Sequence, residues 1–144
     1  MSDSFDFAQA PGHLIRRAQQ IAVSVFAEQM AAMDVTPVQF AILNALMDTP
    51  GIDQVTLAAR VAFDAATSGS VIGRLESKGW VRREADDHDR RRKLLWLTPQ
   101  GVQATLEMKP LVTQVQADIL SVLDGQEQQQ LLALMNKLVK AHQA

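Results

Sequence analysis

The sequence predicts a mainly α chain. Helix, short helix and helix come in succession, a two-stranded hairpin follows, and long amphipathic helices lie on either side. Three observations predict it. Apolar residues recur at three- and four-residue steps along much of the chain, the period of a helix with one buried side. Thr36-Pro37 and Thr98-Pro99 each pair a capping hydroxyl with a proline at the first helical position. Trp80-Val81-Arg82-Arg83 and Leu94-Leu95-Trp96-Leu97 read as strands on either side of a polar run, Glu84 to Lys93, so the hairpin tip is long and basic.

Element by element, Pro11-Gly12 precedes the first helix, whose stripe is Leu14, Ile15, Ala18, Ile21, Ala22, Val25, Phe26 and Met30. The helix opened by Thr36-Pro37 runs through Phe40, Leu43, Leu46 and Met47 and stops at Pro50-Gly51. A short helix is expected around Thr56 to Val61. Asp64 is expected to cap the next, Ala65 to Lys78, which Gly79 ends. Val71, Ile72 and Leu75 supply its buried side, and Thr67, Ser68, Ser70 and Arg74 lie around the others. Gly69 and Gly73 each cost this helix about 1 kcal/mol relative to Ala, a cost best tolerated where something must approach the backbone closely. Thr98-Pro99 opens a long helix in which Pro110 predicts a kink or break. Asp124 caps a last one, through Leu131, Leu132, Leu134, Met135, Leu138 and Val139.

The 144 residues, 47% apolar and 21% charged, suit one domain with a core of its own. The absence of cysteine excludes disulfides, thiolate catalysis, cysteine-ligated zinc and thiol redox sensing. No run approaches the roughly 18 apolar residues of a membrane span. The acidic start MSDSFDFAQA lacks a signal-peptide pattern, so a cytoplasmic location is expected. His13, His88 and His142 make no metal-ligand spacing, and no nucleophile elbow, P-loop or dinucleotide fingerprint occurs. No catalytic residue, metal site or cofactor is therefore expected, and the chain does not read as an enzyme.

Charge is unevenly placed. From Arg60 to Lys93 there are nine basic and six acidic residues, a local charge of +3, whereas the remainder carries five basic and ten acidic residues, or −5. A local positive patch is what a phosphate backbone detects. Together with the element order it reads as a winged helix-turn-helix. Helix 65–78 would enter the major groove, and the arginine-rich tip would reach the minor groove or backbone. A winged module that docks protein without any small-molecule effector is the alternative, but a pure protein interface has little reason to concentrate arginines there. The long terminal helices cannot bury their stripes on so small a core, so they are expected to pair with those of a second chain.

The stretch Asp89-Arg90-Arg91-Arg92-Lys93-Leu94-Leu95-Trp96-Leu97-Thr98, followed by Pro99-Gln100-Gly101, fits the pattern D-x-R, five residues, L-T, two residues, G. With Arg74-Leu75-Glu76-Ser77-Lys78-Gly79-Trp80-Val81 upstream, it resembles the MarR family of bacterial transcription regulators over nearly the whole chain. The resemblance implies a single winged-helix domain over 1–144, with a DNA-binding part at about 37–100 and dimerisation helices at about 11–33 and 99–143. It implies a homodimeric repressor that binds a pseudo-palindromic double-stranded DNA operator and is released by a small effector. Asp89 and Arg91 match the wing pair, in which the carboxylate holds the guanidinium. Arg90, Arg91, Arg92 and Lys93 are candidates to meet DNA, and Thr67, Ser68, Ser70 and Arg74 match the exposed positions of the recognition helix. Ser70 and Gly73 stand where many relatives carry a long basic and an acidic side chain. The resemblance therefore implies specificity resting on hydroxyl contacts, water and DNA shape.

Pro11-Gly12-His13-Leu14-Ile15-Arg16-Arg17-Ala18 and Asp53-Gln54-Val55-Thr56-Leu57-Ala58 are similar to MarR-type regulators of aromatic-acid catabolism. This implies a small aromatic carboxylate as effector. A carboxylate in an apolar crevice needs a cationic or hydrogen-bonding partner. His13, Arg16 and Arg17 are the candidates, because Leu14 and Ile15 are expected to turn the same helix into the core. Phe40, with Met30, Met33 and Met47, could line the apolar side. Arg16 and Arg17 read equally as solvent-facing or intersubunit salt-bridge residues, the methionines as core filler, and Trp80 and Trp96 as packing of the wing sheet.

Overall fold

The computed structural model describes residues 4–61 and 65–143. Among them lie six α-helices: α1 (Pro11–Gln29), α2 (Pro37–Asp48), α3 (Gln54–Arg60), α4 (Ala65–Ser77), α5 (Pro99–Ile119) and α6 (Gly125–Ala141). Three strands, β1 (Ile52–Asp53), β2 (Val81–Ala85) and β3 (Lys93–Leu97), form an antiparallel sheet in the order β1-β3-β2. The chain is mainly α, a winged helix-turn-helix with long N- and C-terminal helices, as the sequence predicts.

Local chemistry sets the boundaries. Thr36 accepts the Gln39 amide while the Gln39 side chain accepts the Thr36 amide, a reciprocal capping box ahead of Pro37. Asp124 and Glu127 do the same for α6. Gly79 ends the turn after α4 at φ +79, a left-handed conformation that costs glycine least. The expected Asp64 cap falls outside the described residues. The hairpin pairs Val81 with Leu97 through Ala85 with Lys93, which shortens the expected tip to residues 86–92.

Two compact units divide the chain. One comprises 26–112, and its core includes Phe26, Met30, Ile42, Leu43, Leu46, Leu57, Ile72, Leu75, Leu95 and Met108. Met30 is thus core filler. The other comprises 1–25 and 113–144. There Leu14, Ile15, Ile21, Leu132, Leu134, Met135, Leu138 and Val139 remain exposed. The expectation that Leu14 and Ile15 turn α1 into a core is corrected for the single chain: both stay exposed, and the regular elements among this unit's described residues are all helices, with no sheet face to cover their stripes.

Two further expectations change. The sequence does not predict β1, because two residues are too few to show a period. Of the kink or break expected at Pro110, the break does not occur, since α5 continues through it. Proline removes one backbone donor and crowds the carbonyl four residues earlier. Pro110 and Leu106 are both on the exposed side, where water can solvate that carbonyl.

Candidate nucleic-acid interface

The outer side of α4 presents Thr67, Ser70, Arg74 and Ser77, all exposed. Their spacing of three or four residues places them on one helical face. Ser68, expected there, is only 1% exposed. Ile72 and Leu75, four and seven residues on, fix the phase that turns it into the core. An open cleft of about 860 Å³ runs beside this face, with Ser70, Gly73, Arg74 and Ser77 on one side and Thr36 and Gln39 on the other. A Cβ at Gly73 would meet nothing within 4 Å. The protein itself does not require that glycine.

The wing brings Arg90, Arg91 and Arg92 to an exposed tip, with the exposed Lys93 at the start of β3. Asp89 and Arg91 form the expected pair: Asp89 Oδ1 accepts the Arg91 amide at 3.1 Å and Arg91 Nε at 3.2 Å. The Arg91 side chain remains 93% exposed, so the carboxylate orients it without withdrawing it from solvent.

Arg92 is placed differently from its neighbours. Its Nη1 donates to Asp86 Oδ2 at 3.1 Å and its Nη2 to Asp53 Oδ1 at 3.3 Å. The Asp53 carboxylate also caps α3, accepting the Thr56 amide at 3.0 Å and the Thr56 hydroxyl at 2.6 Å. The bonds from Thr56, and then Arg92, hold the Asp53 carboxyl below its usual value against the opposing effect of burial. The His88 amide, followed by Arg92, lowers Asp86 in the same way, while Asp53 and then Asp86 raise Arg92. Arg83 forms a second bridge, from Nη2 to Glu76 at 2.9 Å and from Nη1 to the Gln54 side chain at 3.0 Å. Sequence reasoning missed these tethers. Only the Asp53-x-x-Thr56 capping spacing could have signalled one of them.

The junction between α4 and the wing explains the L-T-x-x-G pattern. Thr98 Oγ1 donates to the Gly79 carbonyl at 2.6 Å and accepts the Gly101 amide at 3.0 Å, while the Thr98 amide donates to the Trp80 carbonyl at 3.0 Å. Gly101 lies so close that a Cβ there would sit 2.0 Å from that carbonyl oxygen. Both tryptophans carry cations, Lys78 over Trp80 at 4.7 Å and Arg82 over Trp96 at 4.6 Å.

The effector candidates are only partly brought together. His13 Nδ1 lies 3.1 Å from Arg16 Nη2, and the Phe7 ring packs against His13 in a tilted arrangement, 4.4 Å between centroids. Phe7 is an aromatic group the sequence reading did not select. Arg17 donates to the Gln20 side chain at 2.8 Å, and both arginines are exposed. Phe40 is half-buried and belongs to the other compact unit.

A sequence profile described as the MarR family matches residues 33–92. The transcriptional regulator HosA of Escherichia coli O111:H- is 36% identical over 108 residues, 75% of this chain and 80% of that protein. The HTH-type transcriptional repressor NicR of Pseudomonas putida is 30% identical over 135 residues, 94% and 85% of the two chains. The solved structure of Bordetella bronchiseptica BpsR, described as showing regulation of DNA binding by 6-hydroxynicotinic acid, matches with a TM-score of 0.89 at 32% identity. That match covers 94% of this chain and 97% of BpsR.

Proposed function

This chain belongs to the MarR family of DNA-binding transcription regulators, and from that premise we propose a homodimeric repressor that leaves its operator when a small aromatic carboxylate binds. The observation that carries the DNA part is the exposed polar face of α4 on the same compact unit as a tip of exposed basic residues. Thr67, Ser70 and Arg74 read base edges and backbone in the major groove, and Arg90, Arg91 and Lys93 meet the minor groove or phosphates. Asp89 braces Arg91.

The exposed apolar residues of α1 and α6 support the dimer, because soluble monomers rarely leave large contiguous apolar patches uncovered. The single-domain reading of 1–144 divides the work: about 37–100 binds DNA, and helices at about 11–33 and 99–143 dimerise. Two-fold symmetry would then place two recognition helices about one DNA turn apart, matching a pseudo-palindrome. Among the described residues no helix is long and apolar enough to cross a membrane, and the regulator acts in the cytoplasm.

His13 and Arg16 supply an imidazole and a guanidinium 3.1 Å apart, with Phe7 against the imidazole. This pairing suits a carboxylate attached to a flat ring. Arg17 remains a member of the proposed effector set. BpsR, whose DNA binding 6-hydroxynicotinic acid regulates, supports the effector class, and NicR, named a repressor, supports the repressor reading. An effector shifts DNA affinity only as far as it binds the two conformations differently.

Fluorescence anisotropy tests the proposal on the duplex upstream of the gene against a scrambled duplex, with a panel of benzoate- and pyridine-type acids. Specific binding that one acid abolishes is the expected result. Specific binding that no acid disturbs would remove the aromatic carboxylate. If the scrambled duplex binds as tightly, the upstream operator is wrong, and a genome-wide site search takes its place.

A further inference from the structure

Arg92 lies in a run of basic residues, yet it alone among Arg90, Arg91, Arg92 and Lys93 is shown bridging two carboxylates. Asp86 begins the loop after β2, and its amide donates to the Arg92 carbonyl at 2.8 Å, closing the root of the wing. Asp53 belongs to β1, pairs with Leu94, and caps α3. One guanidinium therefore joins the wing root to the first turn of the helix preceding α4. Both carboxylate side chains are sheltered, 15% exposed for Asp53 and 12% for Asp86, while Arg92 is 53% exposed.

We propose that Arg92 is a positioning residue of the DNA interface: by bridging Asp86 and Asp53 it fixes where the wing tip stands relative to α4, and it does not itself bind phosphate. Two reasons favour positioning. The planar guanidinium presents donors in a fixed fork, and here one terminal nitrogen serves each carboxylate, an arrangement an ammonium group cannot reproduce. The triad of one cation and two carboxylates has a net charge of −1, so a phosphate gains little by approaching it. A cation already paired in the free protein also has few DNA counterions to release. Arg91 has a single carboxylate partner shown and is almost fully exposed. It is the contact, and Arg92 is the brace.

This inference rests on the DNA-binding reading, and its test has one arm without DNA so that the two can fail separately. In that arm, amide hydrogen exchange compares the parent chain with Arg92→Ala. Exchange is expected to accelerate together in the wing loop and the first turn of α3, while the middle of α5 is unchanged. Unaltered exchange in the loop and in α3 would overturn the clamp.

In the second arm, parent, Arg92→Ala and Arg91→Ala bind a duplex that the parent protein selects from a random-sequence pool. Arg92→Ala is expected to weaken binding about 5- to 100-fold with the salt slope unchanged. Hydroxyl-radical protection at the wing positions should disappear, while guanine N7 protection under α4 persists. Arg91→Ala is expected to reduce the salt slope by about 1 for each phosphate it no longer neutralises. A slope reduced as much by Arg92→Ala as by Arg91→Ala would make Arg92 a phosphate ligand and overturn the proposal. Asp86→Asn keeps the side chain's shape, removes half of the clamp, and should lose the same wing footprint if Arg92→Ala fails to fold.

Discussion

Replacing Gly101 by alanine is expected to be among the most damaging single-methyl changes this chain can suffer. The added Cβ would lie 2.0 Å from the Trp80 carbonyl oxygen, 2.9 Å from its carbon and 3.1 Å from Cα. Unbonded heavy atoms rest about 3.5 Å apart, so the overlap with the oxygen exceeds an ångström. That oxygen is backbone and accepts the Thr98 amide, so it cannot swing aside. The first turn of α5 must retreat instead, and it pulls on the Thr98 hydroxyl's bonds to Gly79 and Gly101. Overpacking of this kind costs about 1–3 kcal/mol. One or two weakened hydrogen bonds add about 1 kcal/mol each, and alanine's helix preference returns about 1 kcal/mol. The net loss is about 3 kcal/mol, or a melting temperature lower by roughly 10 °C for a chain of this size. Thermal unfolding by circular dichroism at fixed protomer concentration measures it, with Gly73→Ala as the counterpart. There the Cβ meets nothing within 4 Å, and the helix should gain up to about 1 kcal/mol. A Gly101→Ala melting point within about 2 °C of the parent, or an equal loss in Gly73→Ala, would refute the packing argument.

Arg91→Ala should weaken binding to the operator duplex by about 1–3 kcal/mol while leaving the dimer intact. Anisotropy and sedimentation check both, and undiminished affinity would take the wing out of the mechanism. His13→Ala and Arg17→Ala should each blunt the response to the aromatic acid and spare DNA binding, and a full response in both variants would move the effector site elsewhere. Acid should weaken the wing tether. Asp53 and Asp86 ionise below the ordinary value of 3.8 when folded, so their contribution is complete above that value. It is lost as the pH falls through their lowered folded values. The melting-point gap between the parent and Asp86→Asn should therefore narrow as the pH falls below about 4; a constant gap would show that charge on Asp86 does not stabilise the fold.

The parts of this fold that were legible in the sequence are those in which a residue type has one physical use. Thr36-Pro37 and Asp124 could hardly be anything but caps, and each is found accepting the expected amide. Gly79 stops α4 because φ +79 is open to it. The L-T-x-x-G pattern was recognisable as a motif, yet its cause, a carbonyl pressed against Gly101, depends on two segments meeting and is invisible in one dimension. Ser68 went wrong for a different reason. A small hydroxyl side chain carries no hydrophobic signal, and helical phase alone decides whether it faces the core or solvent. Arg92 is the sharpest case. Its run of basic neighbours suggested a common role, but Asp53 lies 39 positions away, and no local pattern announces that partnership.

That partnership bears on how a chain with net charge −2 binds a polyanion. Several acidic residues around the wing and α4 are committed to arginines of the same compact unit: Glu76 to Arg83, Glu84 to Arg82, Asp89 to Arg91, and Asp53 and Asp86 to Arg92. Such pairs lower attraction for DNA, because a paired cation gains less from a phosphate. In exchange they fix geometry, since each arginine is directed to one place. Among the described residues Arg74, Arg90 and Lys93 show no such pair, and Arg91 stays 93% exposed despite its own, so on the proposed reading the remaining attraction rests on these four, within a segment of charge +3 in a chain whose remainder is −5. Taken together, the rest of the chain carries a surplus of acid, and this segment carries a local surplus of base. On the proposed reading, the charge pattern therefore favours one docking orientation before any base is read. The short hydroxyl side chains of α4, which contribute little long-range attraction, can then act at contact range, where hydrogen bonds and shape discriminate between sequences.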